Sequence, residues 1–253
     1  MNIYIKIFWF NLRKYFDFYP FEFLADILRR AIGIGYILLF WIAVGKSIDI
    51  TLLSYFIFAT FVNEFVAADF DFSSVLEKAI SSGEINNILI KPINPIWYYL
   101  SEKFAKYGAF LTIQLLLAVV FMLLSNVQFA NFMLFIPVLI ISFTISLSFN
   151  ILLASLAFYL TIVKNLRNMF SHIFRLATGL FIPISFFPEY IQNFLMLTPL
   201  PYIISLPSLT LQNSLDQELF GQILIALIYA IILIIIALLV WNKSLKNYEA
   251  FGI

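Results

Sequence analysis

The sequence predicts an all-α polytopic membrane protein with six transmembrane helices. Three observations predict it. Hydrophobic residues make up 63% of the 253-residue chain and charged residues only 11%, whereas soluble domains carry about 25% charged residues. Uncharged runs recur that approach or exceed the roughly 20 residues needed to cross a bilayer. The basic residues also sort onto one side of a six-span arrangement. An outer-membrane barrel would show short segments of alternating polarity, and none occurs.

The elements follow in order. Residues 1–22 place Ile3, Ile7, Phe10 and Lys14 at helical steps, with Lys6, Arg13 and Lys14 at headgroup level. That pattern fits an amphipathic helix lying in the interface; a cytoplasmic extension of the first span is the other reading. The first span covers residues 23–45. Its uncharged part is short, and Arg29 and Arg30 reach the interface by snorkelling. The second covers 51–68 and the third 104–124. The fourth is the uncharged run 132–162, long enough that it must tilt or project. The fifth must begin near Asn168 to reach Phe187, so it carries His172 and Arg175 in its inner half. The sixth covers 219–241.

With the N-terminus inside, fourteen of the fifteen Lys and Arg residues fall on the inner side and only Lys46 on the outer. This asymmetry is the positive-inside pattern. It predicts a multi-pass protein of the cytoplasmic (inner) membrane with both termini cytoplasmic. Residues 188–218 form an unusual outer connection. They are too apolar for a free loop and too broken by Pro199, Pro201 and Pro207 for a span. Irregular backbone at membrane depth needs protein or water around it. The expectation is a re-entrant segment of short helices packed on spans five and six; an apolar loop lying on the surface is the alternative. No internal repeat is evident, which argues against an inverted-repeat carrier.

Little in the chain can carry catalysis. There is no Cys and a single His, His172, so thiolate chemistry and a His/Cys metal cluster are excluded. No HExxH, GxSxG or Walker A pattern occurs, so the chain is not expected to hydrolyse ATP. A net charge of +1 implies no attraction to nucleic acid. Glu64, with Asn63 beside it, is the one carboxylate inside an apolar span. An intramembrane charge is a functional hypothesis by default. Two readings are open: Glu64 and Asn63 line a substrate or proton path, or Glu64 pairs with Arg29 or Arg30. Span four carries Ser142, Thr144, Ser146, Ser148, Asn150 and Ser155, which suit close helix packing.

The richest segment lies between spans two and three. Ser74-x-x-Glu77 has the form of a capping box, which predicts a helix start near Ser74. Gly83 is placed to end that helix with a left-handed residue. Residues 84–90 then read as a second short helix with Glu84 in its first turn. Ile85, Ile88 and Leu89 share one face at i, i+3, i+4 spacing, and Lys91-Pro92 ends it. Trp97, Tyr98 and Tyr99 mark the return to the interface. Two readings of that half-apolar helix stand level. It docks into a groove on another protein, or it lies on the membrane with its apolar face in lipid.

The string EKAISSGEINNILIKPINP, residues 77–95, resembles the loop between spans two and three of ABC-2-type transporter permeases. The segment GLFIPISFFP (179–188) followed by LTPLP (197–201) is similar to that family's fifth span and outer re-entrant segment. Trp241 and the pattern LKxYEAxG, residues 245–252, are similar to its C-terminal signature. The resemblance implies one permease domain over residues 1–253 that is not itself an enzyme. It implies a dimer with a second permease copy or paralogue, forming the path of a bacterial exporter. Separate ABC ATPase subunits would bind ATP and Mg, and the chain itself would bind no cofactor. Residues 77–92 would be the coupling loop to the ATPase, through Gly83, Glu84, Ile85, Ile88, Leu89 and Pro92. Residues 3–14 would match the connecting helix beside the ATPase. Two rival functions remain, a carrier driven by an ion gradient and a membrane scaffold without transport. The first would need more intramembrane charge than Glu64, and the second leaves the loop pattern unexplained.

Overall fold

A computed structural model describes residues 3–18, 20–45, 49–66, 71–105, 119, 128–160, 163–212, 217–246 and 248. Every regular element among them is helical. The third expected span, 104–124, falls almost wholly outside the described residues. We call the end carrying residues 77–100 the loop end and its opposite the far end.

Helix α1 (Ile3–Phe18) is followed by α2 (Pro20–Ala43). The break falls at Pro20, which supplies no backbone N–H and restricts the residue before it. Helix α1 therefore ends a few residues before position 22, the expected end of an interfacial helix. Gly45, at φ +79°, closes α2 at the far end. Helix α3 (Ile50–Val66) starts on an Asp49 cap. The Leu52 N–H donates to Asp49 Oδ1 at 2.9 Å and the Thr51 hydroxyl to Oδ2 at 2.7 Å. Both bonds hold the charged carboxylate below its usual pKa range, the Leu52 bond foremost. Most of α3 is buried, including Phe56, Phe58 and Val62, so this helix is the centre of the bundle.

Helix α4 (Asp71–Ser81), the single turn α5 (Asn86–Leu89) and α6 (residues 95–105) make up the loop end. Helix α7 (Phe129–Ser155) packs against α3 and continues through a 3-10 turn, Leu156–Phe158. Its 27 residues extend roughly 40 Å, beyond a hydrocarbon core of about 30 Å, as the sequence predicts for span four. The described residues hold two helical stretches long and apolar enough to cross a membrane, Phe129–Phe158 and Gln217–Lys246.

The fifth expected span is broken. Helix α8 (Lys164–Ala177) stops well short of Phe187. Gly179 takes φ +86°, and a 3-10 turn, Ile184–Phe186, follows Pro183. An added Cβ at Gly179 would lie 2.7 Å from the Tyr55 hydroxyl and 3.2 Å from Ser205 Cβ. The turn is fastened at three points. The Tyr55 hydroxyl donates to Gly179 O at 2.7 Å, the Ser205 N–H to Thr178 O at 3.1 Å, and Trp41 Nε1 to Phe181 O at 3.3 Å.

Short helices α9 (Glu189–Met196) and α10 (Pro201–Thr210) lie in the segment expected to re-enter. Residues 201–208 of α10 are all buried, which rules out a surface-lying loop for that part. It meets the expected fifth span through Thr178 and Gly179 and the expected sixth through Tyr229, and it has further walls besides. It packs chiefly between α7 and α3, and less on α11 (Gln217–Lys246). The Ser142 hydroxyl on α7 donates to Tyr202 O at 2.7 Å, and Gln212 Nε2 donates to Thr51 O at 2.9 Å. Lipid tails are as apolar as Leu, so packing and such hydrogen bonds hold membrane helices together, at about 0.6 kcal/mol per bond. Helix α11 lies along α7 and contributes Ala226, Ala230 and Ala237, where small side chains let backbones approach.

Candidate functional site

The loop end is built from the inside out. Helix α4 is already running at Asp71, so Ser74 and Glu77 lie within it and form no capping box. Asn150 of α7 serves that end instead. Its Oδ1 accepts from the Ser73 N–H at 3.0 Å while its amide donates to Ser146 O at 3.0 Å. Glu77, freed from capping, forms a salt bridge with Arg167 near the start of α8. Both side chains are mostly buried, at 15% and 12% exposure. The pair ties the loop to the fifth segment across 90 residues of sequence, which no local pattern foretells.

Gly83 ends α4 as expected, at φ +73°, with its N–H donating to Ile80 O at 3.2 Å and the Ile85 N–H to Ala79 O at 2.9 Å. The next helix is one turn, not the expected 84–90, and Glu84 precedes it. Its apolar residues divide. Ile85 and Ile88 are 0% and 5% exposed, within a core cluster that includes Phe72, Leu76, Ile80, Tyr99 and Trp241. Leu89 is 40% exposed and Ile90 82%. The expected outward face of Ile85, Ile88 and Leu89 is therefore corrected: two of the three anchor the turn from within. Helical spacing tells which residues share a face, and neighbouring walls decide which way it looks.

The exposed tip consists of Glu84, Asn87, Leu89, Ile90, Lys91 and Pro92. Ile90 went unread as a tip residue, although its place just before Lys91-Pro92 was the available signal. The return to α6 is braced by Asn94, whose Oδ1 accepts from the Ile96 N–H at 2.9 Å. The Asn94 N–H donates to the Tyr4 hydroxyl at 3.1 Å, so α1 rests against the loop. Burial pushes the Tyr99 phenol above its usual pKa, and the charge of Glu84 adds to it. The tip thus combines two exposed apolar side chains with one carboxylate and one ammonium, on a turn rooted in a core.

Asn63 is buried and Glu64 half-buried on α3. Glu64 lines a cleft with Phe65, Phe72, Lys103, Phe143 and Asn150. Lys103 comes from α6, so opposite charges share the cleft. The side chains of Arg29 and Arg30, the expected partners, lie outside what the structure describes. The hydroxyls of α7 bond backbone carbonyls one turn back: Thr144 to Ile140, Ser148 to Thr144 and Ser155 to Ile151. Among the described residues no group of three His, Cys, Asp or Glu side chains could hold a metal ion.

Residues 55–252 match the family of ABC-2 family transporter proteins. No curated protein matches the chain. The matched stretch begins on α3 and includes the loop, α7, the broken fifth segment, the buried α10 and α11. Its apolar helices embed the protein in a membrane. The chain therefore belongs to the ABC-2 transporter family, as the membrane permease component of an ABC transporter.

Proposed function

We infer that this chain is the transmembrane subunit of an ATP-driven exporter in a bacterial cytoplasmic membrane. Two permease copies, or this chain and a paralogue, form the path. Separate ABC ATPase subunits bind ATP and Mg and supply the energy. Residues 77–92 couple the two, and the charge asymmetry supports a cytoplasmic position for them and for both termini.

One observation carries this reading: an anchored turn with an apolar tip. Ile85 and Ile88 fix the turn to the permease core, while Leu89, Ile90 and Pro92 project from it. A groove on a partner that accepts Leu89 and Ile90 would seat a rigid element. A push there reaches the bundle through Ile85 and Ile88. Gly83 sets the direction of the turn, and Glu84 and Lys91 flank the tip for polar contacts at the groove rim.

Ile90→Asp and Ile85→Asp separate docking from folding. Ile90→Asp leaves the permease stable and abolishes permease-stimulated ATP hydrolysis in the reconstituted complex. Ile85→Asp buries a carboxylate in an apolar core and costs several kcal/mol of stability, about the price of an unpaired polar group. Full ATPase stimulation by the Ile90→Asp and Leu89→Asp complexes would overturn the coupling role.

A further inference from the structure

The end of α11 turns one face back toward the loop. Trp241, Ser244 and Leu245 share that face at i, i+3, i+4 spacing, and Tyr248, just past the helix, continues it at i+7. The face is covered: Trp241 and Ser244 are buried, and Leu245 and Tyr248 are half-buried. Asn242, Lys243 and Lys246 take the opposite side and are exposed. The Tyr248 N–H donates to Leu245 O at 3.3 Å, which draws the chain round at the helix end. The Tyr248 hydroxyl is buried and bonds no group among the described residues, so its ring makes the contact.

From there a series of contacts reaches the loop. The Phe158 ring meets the Trp241 ring edge-on, with centroids 5.3 Å apart, and the Tyr248 ring edge-on at 5.2 Å. Phe158 ends the 3-10 turn after α7, and that turn packs against α4. Helix α4 in turn holds α5, because the Ile85 N–H donates to Ala79 O at 2.9 Å. Ile85 and Ile88 are buried in the same cluster as Trp241, and Tyr248 packs against the edge of that cluster. The series does not pass through Arg167, which ties α4 to α8 instead. It ends on α11, which lies along α7.

Tyr248 belongs to the loop-end cluster and not to the larger one around α3 and α10. A ring at the edge of a cluster sets where its neighbours sit without carrying the whole fold. Its loss loosens the backing of α4 and α5 and leaves the bundle around α3 packed. We propose that Tyr248 is a positioning residue for the loop of residues 77–92, and that residues 241–248 brace this loop through the Phe158 ring. A push on the tip then reaches α11 as well as α8. The part that the brace plays in coupling rests on the exporter reading. The brace itself does not.

The experiment compares Tyr248→Ala, Tyr248→Phe and Lys246→Ala in the full chain, alone in nanodiscs and reconstituted with the ATPase. Amide hydrogen exchange in the chain alone reads the brace. Tyr248→Ala speeds exchange across residues 79–90, where the Ile85 N–H bonds Ala79 O, and leaves α10 at the native rate. Tyr248→Phe keeps the ring and exchanges as the native chain does. Lys246→Ala, on the exposed side of the helix, does the same. In the complex, Tyr248→Ala binds the ATPase with native affinity, since the tip is intact. It lowers the maximal rate of stimulated hydrolysis by roughly threefold to tenfold, the factor that one edge-on ring pair supplies. Tyr248→Phe restores that rate. Native exchange across residues 79–90 in Tyr248→Ala would overturn the proposal. So would an equal effect from Tyr248→Phe or Lys246→Ala. Faster exchange in α10 as well, or a Tyr248→Ala chain that no longer folds, would make Tyr248 a general prop of the fold and overturn it too. Faster exchange confined to the loop, with native stimulation of hydrolysis, would uphold the brace and count against coupling through this loop alone.

Discussion

Two glycines with left-handed backbones do different work. Gly83 sits in open space, with only Asn86 Nδ2 near a would-be Cβ, at 3.8 Å. Gly179 is walled in by Tyr55 and Ser205. Gly83→Ala therefore meets only the backbone penalty, about 1–2 kcal/mol. Gly179→Ala meets that penalty and must also displace Tyr55, whose hydroxyl bonds the same residue, for about 1–3 kcal/mol more. Thermal unfolding in detergent should rank Gly179→Ala clearly below Gly83→Ala. Equal shifts would remove the steric account. The two also differ in how readable they are. Gly83 follows a polar, amphipathic stretch and declares itself as a helix stop. Gly179 lies inside the apolar run 176–187, and in a membrane chain an apolar run masks a turn, because hydropathy reports depth and not backbone path.

Elements connect through the Glu77–Arg167 salt bridge. It joins the loop of residues 77–92 to the fifth segment, and so offers a direct route by which a push on α4 reaches α8. Removing one partner of a buried pair typically costs about 3–5 kcal/mol, and the residual exposure of both groups reduces this to about 2 kcal/mol or more. Arg167→Gln should destabilise the permease by that amount. Glu77→Gln combined with Arg167→Gln should recover most of the stability, since neither charge is then left alone. If the link also transmits force, the double variant hydrolyses ATP in the complex but moves little cargo. A loss of stability in the double variant equal to the sum of the two single losses would show that the pair carries no coupling energy. At this scale the helices α1, α2, α3, α7 and α11 were legible from length and hydropathy, while the break at Pro20 was not. The orientation of α5 was not. Ile85 and Ile88 satisfy the same periodicity whether they look out or in, and only the walls supplied by Leu76, Tyr99 and Trp241 decide it. The ion pair was equally hidden, because it joins residues 90 positions apart.

The whole molecule is held around α10, which occupies the space between α3 and α7 as a plug enters from the far end. Pro199, Pro201 and Pro207 announce broken helices, yet they say nothing about which walls receive them, and the seat between α3 and α7 rests on Ser142 and Gln212 reaching backbone carbonyls. The side of the membrane on which that plug opens is a property of charge. Fourteen of fifteen basic residues lie on the loop side in the six-span arrangement, and cationic loops resist translocation. The loop tip and the α9 surface must then face opposite compartments. Single thiols test this directly, because the chain offers no competing Cys. Ile90→Cys stands at the loop tip and Asn193→Cys on exposed α9. In intact cells a membrane-impermeant thiol reagent should label Asn193→Cys and leave Ile90→Cys untouched until the membrane is opened. Labelling of Ile90→Cys in intact cells would invert the topology, and with it the coupling role of the loop, since an ATPase in the cytoplasm could not reach it.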